Sequence, residues 1–368
     1  MGAYKMRAVS SWRGISGMRF LILGFAVVLG ALSVAHASSH NGPAKERLLG
    51  VQRWLMLLNN ELDSYTVSRI SASTYDMVVV DDIATQSWNR GLDVRPLVDA
   101  LKRRPDGGGR LAISYLNIGQ AEDYRIYFPE SWKTRPPSWL IGADPEGWEG
   151  NFPVAYWHAE WQAILLGPNG LVEQIAREGF DGVYLDWVAG YHDEAVRRRA
   201  AADGVDARAE MIQLLMRVAY VGRRINPDFL LIPQNVSDLV DTPEILDVID
   251  GISQEAIWFD GTVGDNPPGD CPLPRTEAEV GTAEYFATVP NVCMRAYEEG
   301  RADILNYAQE EYVVPRLSAA RAAGLAVFHI EYALQPANVA EVVRRSHRLG
   351  YKPFLAARSL ADFPAPAF

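Results

Sequence analysis

The chain has 368 residues, with 46 acidic against 35 basic side chains and a formal net charge of −11. Hydrophobic residues at 48% and charged residues at 22% are the balance of a folded globular protein, which excludes a disordered tail, a collagenous repeat and a disulfide-stapled miniprotein. The length accommodates two domains or one α/β barrel, and a core of that size folds without a metal.

Lys5, Arg7, Arg13 and Arg19 form a basic start without an acidic residue, an apolar run spans 20–34, and Ala35-His36-Ala37 supplies an A-x-A cleavage site. This layout predicts a secretory signal peptide over 1–37, followed by a linker at 38–45. The other reading is a retained membrane anchor. No later run reaches the ~20 apolar residues of a transmembrane helix, so no stable membrane insertion is expected after signal removal. Loss of the four positive charges shifts the net charge from −11 to −15, which disfavours nucleic acid as a partner. A secreted or periplasmic location would place Cys271 and Cys293 in an oxidising compartment, where a disulfide between them is expected.

Eight apolar runs then read as strands, at 52–58, 76–83, 111–118, 153–157, 182–187, 229–233, 251–256 and 326–331. Helical patterns at 171–178, 207–225 and 306–323 lie between them. The first ends at Gly179 and the last at Gly324, and Pro315 is expected to kink the last. Strands alternating with helices over about 300 residues predict a single (β/α)8 barrel over 46–357, with a C-terminal tail at 358–368. An open doubly wound sheet is the alternative, but no G-x-G-x-x-G follows the first strand. Long insertions are expected after the third strand (119–152) and the seventh (257–303), on the catalytic face.

Polar residues recur where those strands end: Asp81-Asp82, Asn117, Asp186, Gln234-Asn235, Gln254-Glu255 and Glu331, with Glu122 and Asp123 shortly after the third strand. A buried carboxylate costs several kcal/mol unless it is paired or solvated, so folding alone does not require this set. A strand-end Asp can, however, simply cap the following helix. Tyr115, Tyr184, Trp157, Trp187 and Trp258 accompany these groups. Flat rings with carboxylates around the rim suit a sugar, whose ring has apolar faces and polar edges, although aromatics also fill cores. Glycoside hydrolysis uses two carboxyl groups. Asp186 and Glu255, on the strands counted fifth and seventh, are the best-placed pair. The expected substrate contacts are Asp82, Tyr115, Asn117, Glu122, Asp123, Trp157, Tyr184, Trp187, Asn235, Trp258 and Glu331, with Asp82 favoured over Asp81 at the mouth. No G-x-S-x-G is present, and His158, His192 and His329 lack the spacing of a metal site. No cofactor is expected.

At these residues the chain resembles the endo-α-1,4-polygalactosaminidase family and related extracellular glycoside hydrolases. The stretch Ile113-Ser114-Tyr115-Leu116-Asn117-Ile118-Gly119-Gln120-Ala121-Glu122-Asp123-Tyr124-Arg125 is similar to one family signature, and Phe180-Asp181-Gly182-Val183-Tyr184-Leu185-Asp186 to another. Tyr156 to Gln162 resembles a third shared stretch. Gln120 stands where many relatives carry Glu. The resemblance implies a barrel that cleaves α-1,4-linked, partly deacetylated galactosamine polymers, with Asp186 and Glu255 as the catalytic pair; the reading adopted for that pair is a retaining route with Asp186 as nucleophile and Glu255 as general acid/base. Such a polymer is cationic, and a carboxylate-rich cleft would attract it. A polysaccharide-binding barrel without turnover, or a glycosidase for a neutral α-linked glycan, are the alternatives.

Overall fold

The computed structural model describes residues 42–58, 62–145, 147–261, 270–299, 308–361 and 363; the expected signal segment lies outside them. Twelve strands are present among these residues: β1 Trp54–Leu57, β2 Met77–Asp81, β3 Leu111–Asn117, β4 Gln120–Glu122, β5 Asn151–Pro153, β6 Gly182–Asp186, β7 Leu230–Pro233, β8 Gly251–Glu255, β9 Phe259–Asp260, β10 Cys271–Pro272, β11 Ala326–Glu331 and β12 Lys352–Leu355. Eight of them build a (β/α)8 barrel. Parallel pairing runs β1-β2-β3-β6-β7 on one side and β8-β11-β12 on the other. A parallel bridge between Gln234 and Ser253 joins β7 to β8. At the remaining seam the Trp54 indole N–H donates to Lys352 O at 3.0 Å, and its ring lies 5.3 Å from Phe354.

The strands are almost wholly buried, as expected for parallel strands covered by helices. The covering helices begin where the sequence supplies caps. Asp63, Asp193 and Asp206 each accept a backbone N–H three residues on. Helix Ala207–Ile225 turns Met211, Leu214, Leu215 and Val218 inward. Gly222 on the same face lets the Phe229 ring approach to where a Cβ would sit 2.2 Å away. Helix Gln309–Ala322 runs through Pro315, and Gly179 and Gly324 take the positive φ of helix-ending residues.

The strand count shifts in two places. The 153–157 run does not enter the barrel. Only Asn151–Pro153 is extended, pairing antiparallel with β4 inside the first insertion. The apolar side chains there join the main core instead: Val154, Ala155 and Tyr156 are buried in it with Trp139 and Trp161, and Tyr156 Oη donates to Ala207 O at 2.7 Å. The eighth barrel strand is instead Lys352–Leu355, whose Lys and Pro hide the apolar pattern. Asp186 therefore ends the fourth barrel strand and Glu255 the sixth, and the second insertion follows the sixth strand rather than the seventh.

In that insertion Cys271 and Cys293 form a disulfide with Cα atoms 5.5 Å apart, at the centre of a small cluster with Tyr285, Val289 and Ala296. Helix Pro43–Gly50 begins within the expected 38–45 linker. The start of the expected tail packs on the barrel, with Leu58 N donating to Leu360 O at 3.0 Å and Arg358 pairing with Asp260 at 3.1 Å. Among the described residues no helix is long and apolar enough to cross a membrane.

Candidate active site

Two strands deliver carboxylates by the same local design. In Asp181-Gly182 and Asp250-Gly251 the aspartate precedes the strand and accepts a backbone N–H of the preceding barrel strand, from Ala112 and Leu231, both at 2.9 Å. Gly182 is required there, since a Cβ would lie 2.3 Å from Leu230 O. Five residues beyond each aspartate stand Asp186 and Glu255.

Side chains alternate along a strand, so the parity of these two positions can be read from the residues below them. Tyr184 Oη donates to Ser253 Oγ at 2.8 Å inside the barrel, and the Tyr184 ring stacks on Trp54 at 6.3 Å. Asp186 and Glu255 lie two residues further on, hence on the same inner face, at the C-terminal mouth. They meet in one space.

Each carboxylate is held differently. Tyr115, opposite Tyr184 in register, donates its hydroxyl to Asp186 Oδ2 at 2.6 Å, and Trp187 N donates to Oδ1 at 2.7 Å. Burial outweighs those donors. It raises the Asp186 carboxyl to about 7, with the charges of Glu255 and Glu122 adding to the effect. Glu255 accepts from three side chains: Gln234 and Asn235 at Oε2, the latter at 2.9 Å, and Tyr332 at Oε1. Asn235 Oδ1 in turn accepts from Glu255 N at 2.9 Å and Gln254 Nε2 at 3.0 Å.

The backbone is strained beside these groups. Trp187, Asn235 and Ala256 directly follow Asp186, Gln234 and Glu255, and all three have positive φ, at 56°, 57° and 48°. For a residue with a Cβ this costs roughly 1–2 kcal/mol, and such strain gathers at functional sites. It lets each strand turn away while its last polar side chain stays in the mouth. Next to Asp186 lies a buried network: Arg125 pairs with Asp81 and Glu122, both at 2.8 Å, and Tyr124 donates to Glu122 at 2.8 Å. Among the described residues no cluster of three or more His, Cys, Asp and Glu is arranged to hold a metal ion.

The pattern of glycoside-hydrolase family GH114 matches residues 52–365. The chain belongs to glycoside-hydrolase family GH114. An uncharacterized protein of Deinococcus radiodurans is 31% identical over 321 residues, covering 86% of this chain and 83% of its own. The fold is similar to the glycoside hydrolase domain of PelA from Pseudomonas aeruginosa, with TM-score 0.56 and 16% identity over 86% of this chain and 99% of that one. It is also similar to Aspergillus fumigatus Ega3, solved in complex with galactosamine, with TM-score 0.51 and 15% identity over 86% and 94% of the two chains.

In this GH114 chain the mouth gathers Asp186, Glu255, Tyr115 and Asn235, with Tyr184 beneath them and Glu122 close by. Other expected contacts are placed elsewhere. Asp81, opposite Tyr115 in register, faces inward, so Asp82 faces the helix layer. There it caps a short turn through Ala84 N, and burial together with the charge of Glu178 lifts its carboxyl well above the usual range. Ile330 is the register partner of Glu255, so Glu331 also faces outward. Its carboxylate accepts the backbone N–H groups of Ile257, Trp258 and Phe259 at 2.9–3.0 Å and anchors the chain just beyond Glu255. Trp258 is buried against His329 and Arg345 in that same outer layer.

Asn117 reaches the mouth, but its amide closes the turn to Gln120. Asp123 pairs with Lys133 at 3.2 Å, and Trp157 donates to Asp203 at 2.9 Å. The Trp187 ring packs over Gly119 and Gly190, where a Cβ would clash with it or its carbonyl. Gln234, Tyr332, Asp81 and Arg125 were not among the expected contacts of the GH114 site. Gln234 and Tyr332 share the inward parity of Glu255, a signal available once the strands are aligned.

Proposed function

We propose that this protein is a secreted glycoside hydrolase that cleaves α-1,4-linked, galactosamine-containing polysaccharide with Asp186 and Glu255 as its working pair. The observation carrying this reading is that the two carboxyl groups share one inner face of the barrel mouth on alternate strands, separated by the Gln234–Asn235 strand end. Membership of GH114 supports the reaction class. The galactosamine bound to Ega3 and the excess of acidic groups in this chain support a cationic amino sugar, drawn in by the field of the site.

In the forward step Asp186 Oδ attacks the anomeric carbon as the glycosidic C–O bond breaks, and Glu255 gives its proton to the departing oxygen. Water then adds to the anomeric carbon, its proton returns to Glu255, and Asp186 leaves as the carboxylate. The pair must hold one proton between them at the start. An ammonium group arriving near Asp186 favours its ionised form, the form in which it can attack. Tyr115 and Trp187 N hold Asp186 in line, while Gln234, Asn235 and Tyr332 fix Glu255.

Incubation with defined α-1,4-galactosamine oligomers, read by mass spectrometry beside neutral galactose oligomers, tests the proposal. Shorter galactosamine products, at a rate falling with salt and with N-acetylation, are expected. Cleavage of the neutral series alone would assign a different glycan, and binding without cleavage would make the barrel a polysaccharide-binding protein.

A further inference from the structure

Trp88 is the most exposed tryptophan among the exposed large hydrophobic side chains of the described residues, and the site leaves it unused. Trp88 is 63% exposed and sits on the short turn Ser87–Asn89 in the loop that follows β2, on the same end of the barrel as Asp186. Tyr65 and Tyr220, comparably exposed, lie on outer helices, each with an arginine near its ring, Arg69 at 5.8 Å and Arg224 at 5.7 Å.

The loop under Trp88 is firmly built. Ser87 N donates to Tyr124 O at 2.8 Å and Ile126 N to Thr85 O at 2.7 Å, so the loop is laced to the first insertion on both sides of Gln86. The Gln86 amide donates to Asp81 at 2.9 Å and accepts from Asn89 at 3.0 Å. An indole carried on a backbone held this way brings a large apolar face to a ligand, and displacing solvent from that face is favourable.

Its position relates it to the reaction. The Trp88 ring centroid is 6.2 Å from that of Tyr124, with the planes at 33°. Tyr124 donates to Glu122, and the charge of Glu122 acts on both Tyr115 and Asp186. The line Trp88–Tyr124–Glu122–Asp186 thus runs from the rim into the mouth.

We propose that Trp88 is an outlying sugar-stacking subsite that grips the polysaccharide chain away from the cleavage point. A galacto-configured ring suits it. With O4 axial, the opposite ring face presents the C–H groups of C3, C4 and C5 as an apolar patch. A protonated amino group held over the indole face adds a cation–π attraction. The inference rests on the proposed substrate class and assigns the direction in which the chain leaves the mouth, across the loop after β2.

The test compares wild type with Trp88→Ala and Trp88→Phe on α-1,4-galactosamine oligomers of increasing length. The ratio of kcat/KM on long chains to kcat/KM on the shortest cleaved oligomer should fall about tenfold in Trp88→Ala, the scale of one lost stack. Phe should recover part of it. An unchanged ratio overturns the subsite. If wild type cleaves no galactosamine oligomer, the proposed reaction fails. Calorimetric titration of the same oligomers into Asp186→Asn, with and without Trp88→Ala, then decides the subsite separately. Weaker binding without the indole supports it, while equal binding or none overturns it.

Discussion

The Asp186→Asn variant should be inactive yet more stable than wild type, and the gain should depend on pH. Burial lifts the Asp186 carboxyl from 3.8 to about 7, roughly three pH units at about 1.4 kcal/mol each, so an upper bound is about 4 kcal/mol. The sign follows from proton counting. Below pH 4 the carboxyl is protonated in both folded and unfolded chains and exerts no penalty. Between about 4 and 7 the unfolded chain releases the proton while the folded chain keeps it, so wild-type stability falls as pH rises. Above 7 the penalty is constant. Asparagine keeps the size and the acceptor for Tyr115 but carries no charge. Urea unfolding of both proteins at pH 4, 5.5, 7 and 8.5 should give curves whose separation widens by about 2–4 kcal/mol and then levels off. A separation independent of pH would refute the claim that Asp186 is ionised at a cost inside the mouth.

The same shift predicts a kinetic limb. If Asp186 is the nucleophile, kcat/KM on a substrate of fixed charge rises as pH climbs through about 7; a fall over that range would exchange the roles of the two carboxyl groups. Tyr332→Phe removes one of three side-chain donors to Glu255 and should lower kcat/KM by about 10- to 100-fold without altering the fold, measured by steady-state kinetics and circular dichroism. Glu331→Gln leaves one oxygen where two now accept three backbone N–H groups. It should lower unfolding free energy by about 2–4 kcal/mol in urea, whereas a role in substrate contact alone would leave stability unchanged.

The catalytic-face logic was legible in the sequence because strand-end acids stand out against apolar runs. Asp186 and Glu255 each end a strand opened by Asp-Gly, and that fixed spacing survives any error in counting strands. The count itself failed where composition masked burial. Lys352–Leu355 conceals a barrel strand because the Lys352 ammonium reaches back to the Leu49 and Val51 carbonyls. The 153–157 run reads like a strand because its apolar side chains are buried in the main core although its backbone pairs outside the barrel sheet. Direction was harder to read than position. Asp82 and Glu331 sit at strand ends yet face outward, and one residue of parity separates them from Asp81 and Ile330. The left-handed Trp187 and Ala256 left no mark, since neither Trp nor Ala favours that conformation, whereas Asn235 is of a type that adopts it readily.

In the proposed reaction two carboxyl groups act together on one glycosidic bond. Its most direct test measures cleavage and binding of one α-1,4-galactosamine oligomer by wild type, Asp186→Asn and Glu255→Gln under the same conditions. Both variants should bind the oligomer and release no shorter product, while wild type cleaves it. Cleavage at a near wild-type rate by either variant would contradict the pairing.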